Sequence, residues 1–512
     1  MTLSGMIKQL EDIMRTDSGI DGTAQRLSQI VWLLFLKVFD ESEMDGELLI
    51  DYEPVIPKGY RWRDWANPDA EKDQTTGEEL IDFVNNKLFP VLRGEPITTD
   101  DGATVIPFDN DSDRAALVRK FMTRSHNYAA NGIALRNVVN LISTVDLSDV
   151  EQTHEFNNMY ETLLKSLQSA GRAGEFYTPR AITQFAVRHV NPQIGDVVAD
   201  YACGTGGFLV DALRHLEKMV SHFQGNQVDA MEKVHRNLIG GEFKPLPYML
   251  CVTNLLLNDV DYPRIRFGDS LTEKNFTDYD GQDELQVDCI VMNPPYGGIA
   301  SDGDKRAFPA DLRSSETADL FMAMILGRLR QNGRAAVVLP DGFLFGNDGA
   351  KLAIKKKLIR ECNLHTIIRL PESVFAPYTS ITTNILFFDK TQSTQETWFY
   401  RFDKPEGYKH FSKTKPLLPK HMEVIDEWWD NREAIPDPDV NGAWKAQKYS
   451  VEELEANGFN FDLCGYPHEE EEILPPDELI ADYKSQRASL DREIDEKLAA
   501  ICELLGIGVD AE

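Results

Sequence analysis

The residues best suited to chemistry fall in two short runs. The first is Asp200-Tyr-Ala-Cys203-Gly204-Thr205-Gly206-Gly207-Phe208-Leu, which follows the β-branched run Val197–Ala199 and leads into a helical pattern. Strand, glycine-rich turn and helix start, in that order, make a cradle for a nucleotide-like ligand. A dinucleotide fingerprint needs G-x-G-x-x-G, but here Phe208 and Leu209 follow Gly207 and the third glycine is missing. No Gly-Lys-Ser/Thr follows either, which excludes a phosphate loop. A glycine-packed turn without phosphate geometry suits a cofactor lacking a pyrophosphate, and S-adenosylmethionine is the common one. Without Cβ atoms the backbone at Gly204–Gly207 can approach that cofactor closely. A carboxylate introduced at Gly206 is therefore expected to fill the cofactor's space. Asp200, closing the strand, is positioned to hold an ammonium or fixed waters near the methionine part.

Two more acids follow in chain order. Glu242 ends the apolar run Asn237–Gly241, where a carboxylate can accept from both ribose hydroxyls; Asp269 follows Phe267-Gly268 and could accept from an adenine amino group. An isolated acid after a strand is usually solvated, so it is their order behind the glycine turn that makes them candidates.

The second run is Asn293-Pro294-Pro295-Tyr296, directly after the apolar stretch Asp288–Met292. Two prolines remove two backbone donors and fix φ, so the loop presents carbonyl oxygens in a rigid shape. The Asn293 side-chain oxygen and the Pro294 carbonyl can then accept both hydrogens of a planar amino group. Holding both draws the nitrogen toward tetrahedral geometry and aims its lone pair at a sulfonium methyl. Tyr296 offers a ring face for the substrate's flat group. Asn-Pro turns are common alone, but one that follows a buried strand downstream of such a glycine turn points to a methyltransferase.

The elements that must hold these runs alternate. Val287–Met292, Arg334–Leu339 and Thr366–Leu370 join Val197–Ala199 as buried-strand candidates, and Phe208–Met219, Asp319–Leu329 and Leu352–Glu361 read as helices. That alternation implies an α/β domain with a mostly parallel sheet, binding ligands outside the carboxyl ends of its strands. Ahead of it the chain reads helical. Asp21 could cap a helix in which Ala24, Leu27, Val31, Leu34 and Val38 recur, with Ala115–Met122 and Ala134–Ile142 as further helices and Thr98–Asp113 as a loop. Trp32 and Phe35 make the first of these apolar nearly all round, so it should be buried in its own domain or against a partner. Behind the α/β part come aromatic-rich strands and loops around Trp398, Tyr400, Phe402, Tyr408 and Phe411. A helix from about 477 to 505 closes the chain, with Ile480, Tyr483, Arg487, Leu490, Ile494, Lys497, Ile501 and Leu504 on an a/d pattern. It could pack on its own domain, but its length favours a partner.

Composition sets the bounds. The chain has 512 residues, 42% of them apolar, and 53 basic against 84 acidic side chains give a net charge of −31. Such a surface repels phosphate backbones, so a nucleic-acid role needs a local basic face or a basic partner. One basic group exists, Lys351, Lys355, Lys356, Lys357 and Arg360, readable as a solvated helix face or as a phosphate contact. The six cysteines form no CxxC pair, which argues against a zinc site and against a disulfide framework, and no metal is expected. The first residues lack a signal peptide's apolar core, and the longest strong apolar run, Ile30–Leu36, is far shorter than the roughly 20 residues that cross a bilayer. A soluble, cytoplasmic chain without membrane contact is expected.

Gly174-Glu175-Phe176-Tyr177-Thr178-Pro-Arg180, Asp200–Leu209 and Asn293–Tyr296 together resemble the amino-methylating DNA methyltransferases. More narrowly, the chain looks like the modification (M) subunit of Type I restriction-modification systems. Thr317-Ala-Asp-Leu-Phe321, Gly333–Pro340, Leu370–Phe375 and Thr383–Phe387 carry that resemblance further. It implies a Rossmann-like class I S-adenosylmethionine-dependent methyltransferase domain at 161–415. A helical N-terminal domain at 1–160 and a C-terminal region at 416–512, ending in a partner-binding helix, would flank it. The implied activity is N6-adenine methylation of DNA, protecting host DNA from restriction. Glu175, Phe176, Tyr177 and Thr178 would close over the methionine end of the cofactor, Thr178 at its carboxylate. Cys203, Thr205 and Phe208 would complete the cofactor turn with the glycines. The implied partners are DNA, a specificity (S) subunit, a second copy of the M subunit (two M chains to one S chain) and a restriction (R) motor-nuclease subunit. Sequence reading would then lie elsewhere, which fits an acidic chain with no recognisable groove-reading module. Protein glutamine methyltransferases share the tetrapeptide, and a methylase of another phage-defence system, or a non-catalytic scaffold, would look similar.

Overall fold

The computed structural model describes residues 3–47, 52–66, 75–98, 102–108, 111–145, 177–271, 286–347, 349–376, 379–412 and 415–465, and positions between 480 and 498 in part. It forms two compact units, Met1–Tyr466 and Pro467–Glu512.

The first unit begins with helices α1 (Leu3–Arg15), α2 (Thr23–Glu47), α3 (Asp113–Met122) and α4 (Gly132–Ser143). α2 starts at Thr23, two residues past the expected cap, and the Asp21 N–H donates to Gln25 Oε1 instead. The residues of Ile30–Leu36 are fully buried, with Trp32 edge-on to Phe89 and Phe35 stacked on Phe121. The apolar girth of this helix is therefore covered inside its own chain, and none of that stretch is left for a partner. The expected loop at Thr98–Asp113 holds part of a small hairpin, Ile97–Thr98 against Thr104–Val105.

The sheet-forming part follows with α5 (Arg180–Val190), β1 (Val198–Asp200), α6 (Gly207–Ser221), α7 (Gln227–Asn237), β2 (Leu238–Glu242), α8 (Pro245–Leu256), β3 (Arg264–Phe267) and β4 (Val287–Met292). Next come α9 (Thr317–Arg328), β5 (Leu329–Pro340), α10 (Gly349–Glu361), β6 (Asn363–Arg369), β7 (Thr383–Asp389), β8 (Glu396–Arg401), β9 (Ile435–Pro436) and β10 (Trp444–Ser450). Among the described residues these ten strands form one sheet, ordered β9-β10-β8-β6-β7-β5-β4-β1-β2-β3. The run from β3 through β5 is parallel throughout. β7, however, inserts antiparallel between β5 and β6, and β10 pairs antiparallel with β8 and β9, while β6 and β8 pair in parallel, so the sheet is mostly but not wholly parallel, as the alternation implied. β9 and β10 come from 416–465, so that stretch extends the large sheet.

Strand order reverses at β1, which pairs with β2 on one side and β4 on the other. A crevice opens where successive connections leave such a point in opposite directions. The glycine turn leaves β1 there and the Asn293 loop leaves β4. α8 forms the wall behind: it packs against α2 on one side, and on the other Asn254 Nδ2 donates to the Thr205 carbonyl at 3.0 Å. Arg124 lies 4.1 Å over the Phe267 ring, joining the helical region to the sheet a second time.

In the second unit, Ile480, Tyr483, Leu490 and Ile494 are each more than half exposed, and Arg487 pairs with Asp491 at 3.7 Å. The a/d positions Ile501 and Leu504 lie outside the described residues. No helix among the described residues is long and apolar enough to cross a membrane.

Candidate active site

A cavity of about 380 Å³ occupies the crevice. Asp200, Cys203, Gly204, Thr205, Gly207 and Phe208 line it from the β1 turn, Glu242 and Asp269 from β2 and β3, and Asn293, Pro294 and Pro295 from β4. Tyr177 and Thr178, just ahead of α5, complete the set, whereas Glu175 and Phe176 lie outside the described residues.

Glu242 ties two walls together. Its Oε2 accepts from the Gly204 N–H at 2.9 Å and its Oε1 from the Lys244 N–H at 2.8 Å. Burial raises its pKa while those bonds oppose the rise. Asp200 is buried and accepts from the Ala202 N–H at 3.1 Å; burial pushes its carboxyl well above the usual carboxylate range. Asp269, half-buried, accepts from the Leu271 N–H at 2.8 Å and is likewise raised by burial. Three carboxylates in a shielded cavity are costly unless a cationic or hydroxyl-rich ligand meets them.

The glycines divide their work. Gly204 has φ +55°, and a Cβ there would meet nothing within 4 Å, so its open side belongs to the cavity it lines. Gly206 does not line the cavity. It stands at the start of α6 with φ +85°, and a Cβ there would come within 2.9 Å of Cys251 Sγ on α8. A side chain at Gly206 would therefore strike the packing behind the turn rather than enter the cavity, contrary to the expectation for a carboxylate there. Cys203 lies against the same wall, its Sγ 3.6 Å from that of Cys251, and this contact together with burial holds the thiol protonated.

On the opposite wall Asn293 Nδ2 donates to Thr178 Oγ1 at 3.1 Å. Asn293 Oδ1 is buried and accepts no hydrogen bond among the described residues. Such an orphaned acceptor is rare. Pro295 is fixed through its carbonyl, which accepts from Thr317 Oγ1 at 2.9 Å. Tyr296 does not line the cavity. It is 8% exposed and belongs to the apolar cluster around Met292 and Leu320, where burial raises its phenol pKa.

Sequence reasoning missed Phe243. It follows Glu242 directly, is 64% exposed, and lines the cavity with Leu246 and Pro247. An aromatic placed straight after a strand-ending acid was the signal for a flat-ring slot. The basic cluster on α10 is largely structural. Lys351 binds Glu316 Oε2 at 3.1 Å, and buried Lys355 donates to the carbonyls of Leu344, Gly346 and Phe459.

The order β3-β2-β1-β4-β5-β7-β6, with β7 reversed and the glycine turn after β1, defines the class I S-adenosylmethionine-dependent methyltransferase fold. The chain belongs to the N-6 DNA Methylase family, which it matches over residues 151–473, while residues 3–142 match the HsdM N-terminal domain. It is 44% identical to the Type I restriction enzyme EcoEI methylase subunit of Escherichia coli over 96% of both chains. The crystal structure of a type I modification subunit from Vibrio vulnificus YJ016 superposes with TM-score 0.75 at 39% identity, covering 88% of this chain and 93% of the other. A chain from a structure of type I restriction-modification complex assembly matches with TM-score 0.74 at 30% identity over 98% of both.

Proposed function

We propose that this chain transfers a methyl group from S-adenosylmethionine to the N6 amino group of an adenine turned out of duplex DNA, as the modification subunit of a Type I complex. The observation that carries this most directly is Asn293 Oδ1, buried at the cavity wall with no hydrogen-bond partner among the described residues. An acceptor in that setting calls for an amino group from the substrate.

When bound, S-adenosylmethionine supplies an electrophilic methyl on a positively charged sulfur. Gly204, Thr205, Gly207 and Phe208 cradle it. Glu242 accepts from its ribose hydroxyls and Asp269 from its adenine amino group, with Phe243 on the purine face. Asp200 faces its ammonium or ordered waters. Cys203 packs the turn, and Gly206 shapes it from behind. Glu175, Phe176, Tyr177 and Thr178 close over the methionine end. Asn293 Oδ1 and the Pro294 carbonyl accept the two hydrogens of the target amino group and aim its lone pair, while Pro295 keeps the loop stiff. Tyr296 gives that base a ring to stack on once it shifts from its packed position. No base is needed before attack, because the amino proton becomes acidic only after transfer and then leaves to water.

The proposed division is a helical domain at 1–160, a catalytic domain at 161–415 and a terminal region at 416–512, which lends strands to the catalytic sheet before its partner-binding helix at about 477–505. Target choice falls to a specificity subunit shared by two such chains, with a motor-nuclease subunit joining, in the cytoplasm where host DNA lies. The acidic balance supports this shared labour. Single-molecule sequencing of host DNA with and without this gene tests it: N6-methyladenine at a defined sequence should vanish with the gene. Labelled methyl passing to a release-factor glutamine instead of DNA would overturn it.

A further inference from the structure

Ile299 lines the cavity and is 87% exposed, and Phe345, outside that lining, is 51% exposed. Ile299 lies beyond the end of β4 and Phe345 beyond the end of β5, and these strands run parallel as neighbours, so both residues sit at one edge of the sheet. Neither is loosely held. Ile299 forms a bridge with Glu316, flanked by Ala300 N–H donating to the Ser315 carbonyl at 2.9 Å and Thr317 N–H to the Gly298 carbonyl at 3.2 Å. Phe345 stands between Leu344 and Gly346, whose carbonyls both accept from buried Lys355. Lys351 joins the two loops, donating to Glu316 Oε2 at 3.1 Å and to the Gly342 carbonyl at 3.2 Å.

Burying two ammonium groups is costly, and here they fix the loops that carry these two exposed apolar side chains. Two exposed apolar side chains at the carboxyl-terminal edge of the sheet, one of them lining the cavity, offer a contact surface for what enters it. A flipped base leaves a gap in the stack and returns to it unless the gap is filled, and apolar side chains fill such gaps by wedging between base steps. Tyr296 is packed away from the cavity, whereas Ile299 stands exposed on its lining. Resting on the adenine-methylating function proposed above, we propose that Ile299 and Phe345 keep the target adenine out of the helix. Ile299 covers the extruded base at the cavity mouth, and Phe345 enters the stack at the vacated place.

The test uses the full chain assembled with its specificity subunit and two duplexes carrying the target site. In one the target adenine pairs with thymine; in the other it faces an abasic position, so that extrusion costs little. Phe345→Ala and Ile299→Ala should each slow methylation of the paired duplex at least about tenfold but that of the abasic duplex no more than about twofold, the extrusion cost being a few kcal/mol. Phe345→Trp should restore the paired rate. Equal losses on both duplexes, or no loss on either, overturn the proposal. If the unaltered protein methylates neither duplex, the substrate itself is wrong and the proposal falls with it.

Discussion

Asn293 Nδ2 donates to Thr178 Oγ1 at 3.1 Å, so a residue ahead of α5 fixes the amide that the β4 loop presents. With its nitrogen so engaged, the amide oxygen is the atom left without a partner among the described residues. Asn293→Ala should cost about 3 kcal/mol or more in kcat/KM, the range for losing a preorganised polar group, with little change in cofactor affinity. Thr178→Val should lower kcat about tenfold by freeing the amide, with Thr178→Ser largely normal. Near-normal turnover in Asn293→Ala would sink the amino-group mechanism.

The two glycines of the turn should fail differently. Gly204→Ala puts a methyl into the cavity at a left-handed φ, costing about 1 kcal/mol of stability and more in cofactor affinity. Gly206→Ala drives a methyl toward Cys251 Sγ, so thermal stability should fall first. Calorimetry and melting curves side by side read both quantities; identical profiles would dissolve the distinction.

Phe243 is exposed enough that its removal should scarcely affect folding. Phe243→Ala is expected to weaken S-adenosylmethionine binding about tenfold, the loss of one stacked aromatic face. Unchanged affinity in a titration would exclude it from the site.

Asp40 on α2 is buried, and burial lifts its carboxyl from 3.8 to about 6 despite Arg63 beside it. A carboxyl whose pKa is higher folded than unfolded stabilises the fold at low pH and loses that contribution as pH climbs through the folded value. Between about pH 4 and pH 7 this loss should reach about 3 kcal/mol. Glu43, also raised by burial, acts in the same direction. Urea melts at several pH values should show Asp40→Asn with a flatter profile than the unaltered chain; parallel profiles would contradict the assignment.

Deleting 477–512 should spare cofactor binding and weaken assembly with the specificity subunit. Ile480, Leu490 and Ile494 stand exposed on that helix, and apolar side chains at such spacing suit a partner helix. Size-exclusion chromatography of the truncated chain with its partner decides, and an undiminished complex would make the helix ordinary packing.

The site was legible because its residues cluster in sequence at strand ends. β1 with its turn and β4 with its tetrapeptide each hold strand, loop and chemistry within a dozen residues, and hydrophobic runs locate the strands. What escaped was set by long-range packing. The reversal of β7 leaves no mark in its apolar run Thr383–Asp389, which reads the same in either direction. The burial of Lys351 and Lys355 depends on carbonyls from loops elsewhere in the chain. Tyr296 looked available because it ends an exposed-looking turn, yet its ring completes a core built by α9. Gly206 belonged to the right motif but faces Cys251, a partner that no local pattern announces.

α8 serves two masters. One side supports the glycine turn through Cys251 and Asn254, and the other receives α2 of the helical region. The catalytic part is thus not a portable cassette. A hybrid that grafts the helical region of one relative onto the methylating half of another must carry matching residues of Pro245–Leu256, or the graft will show up as a misshapen cofactor turn.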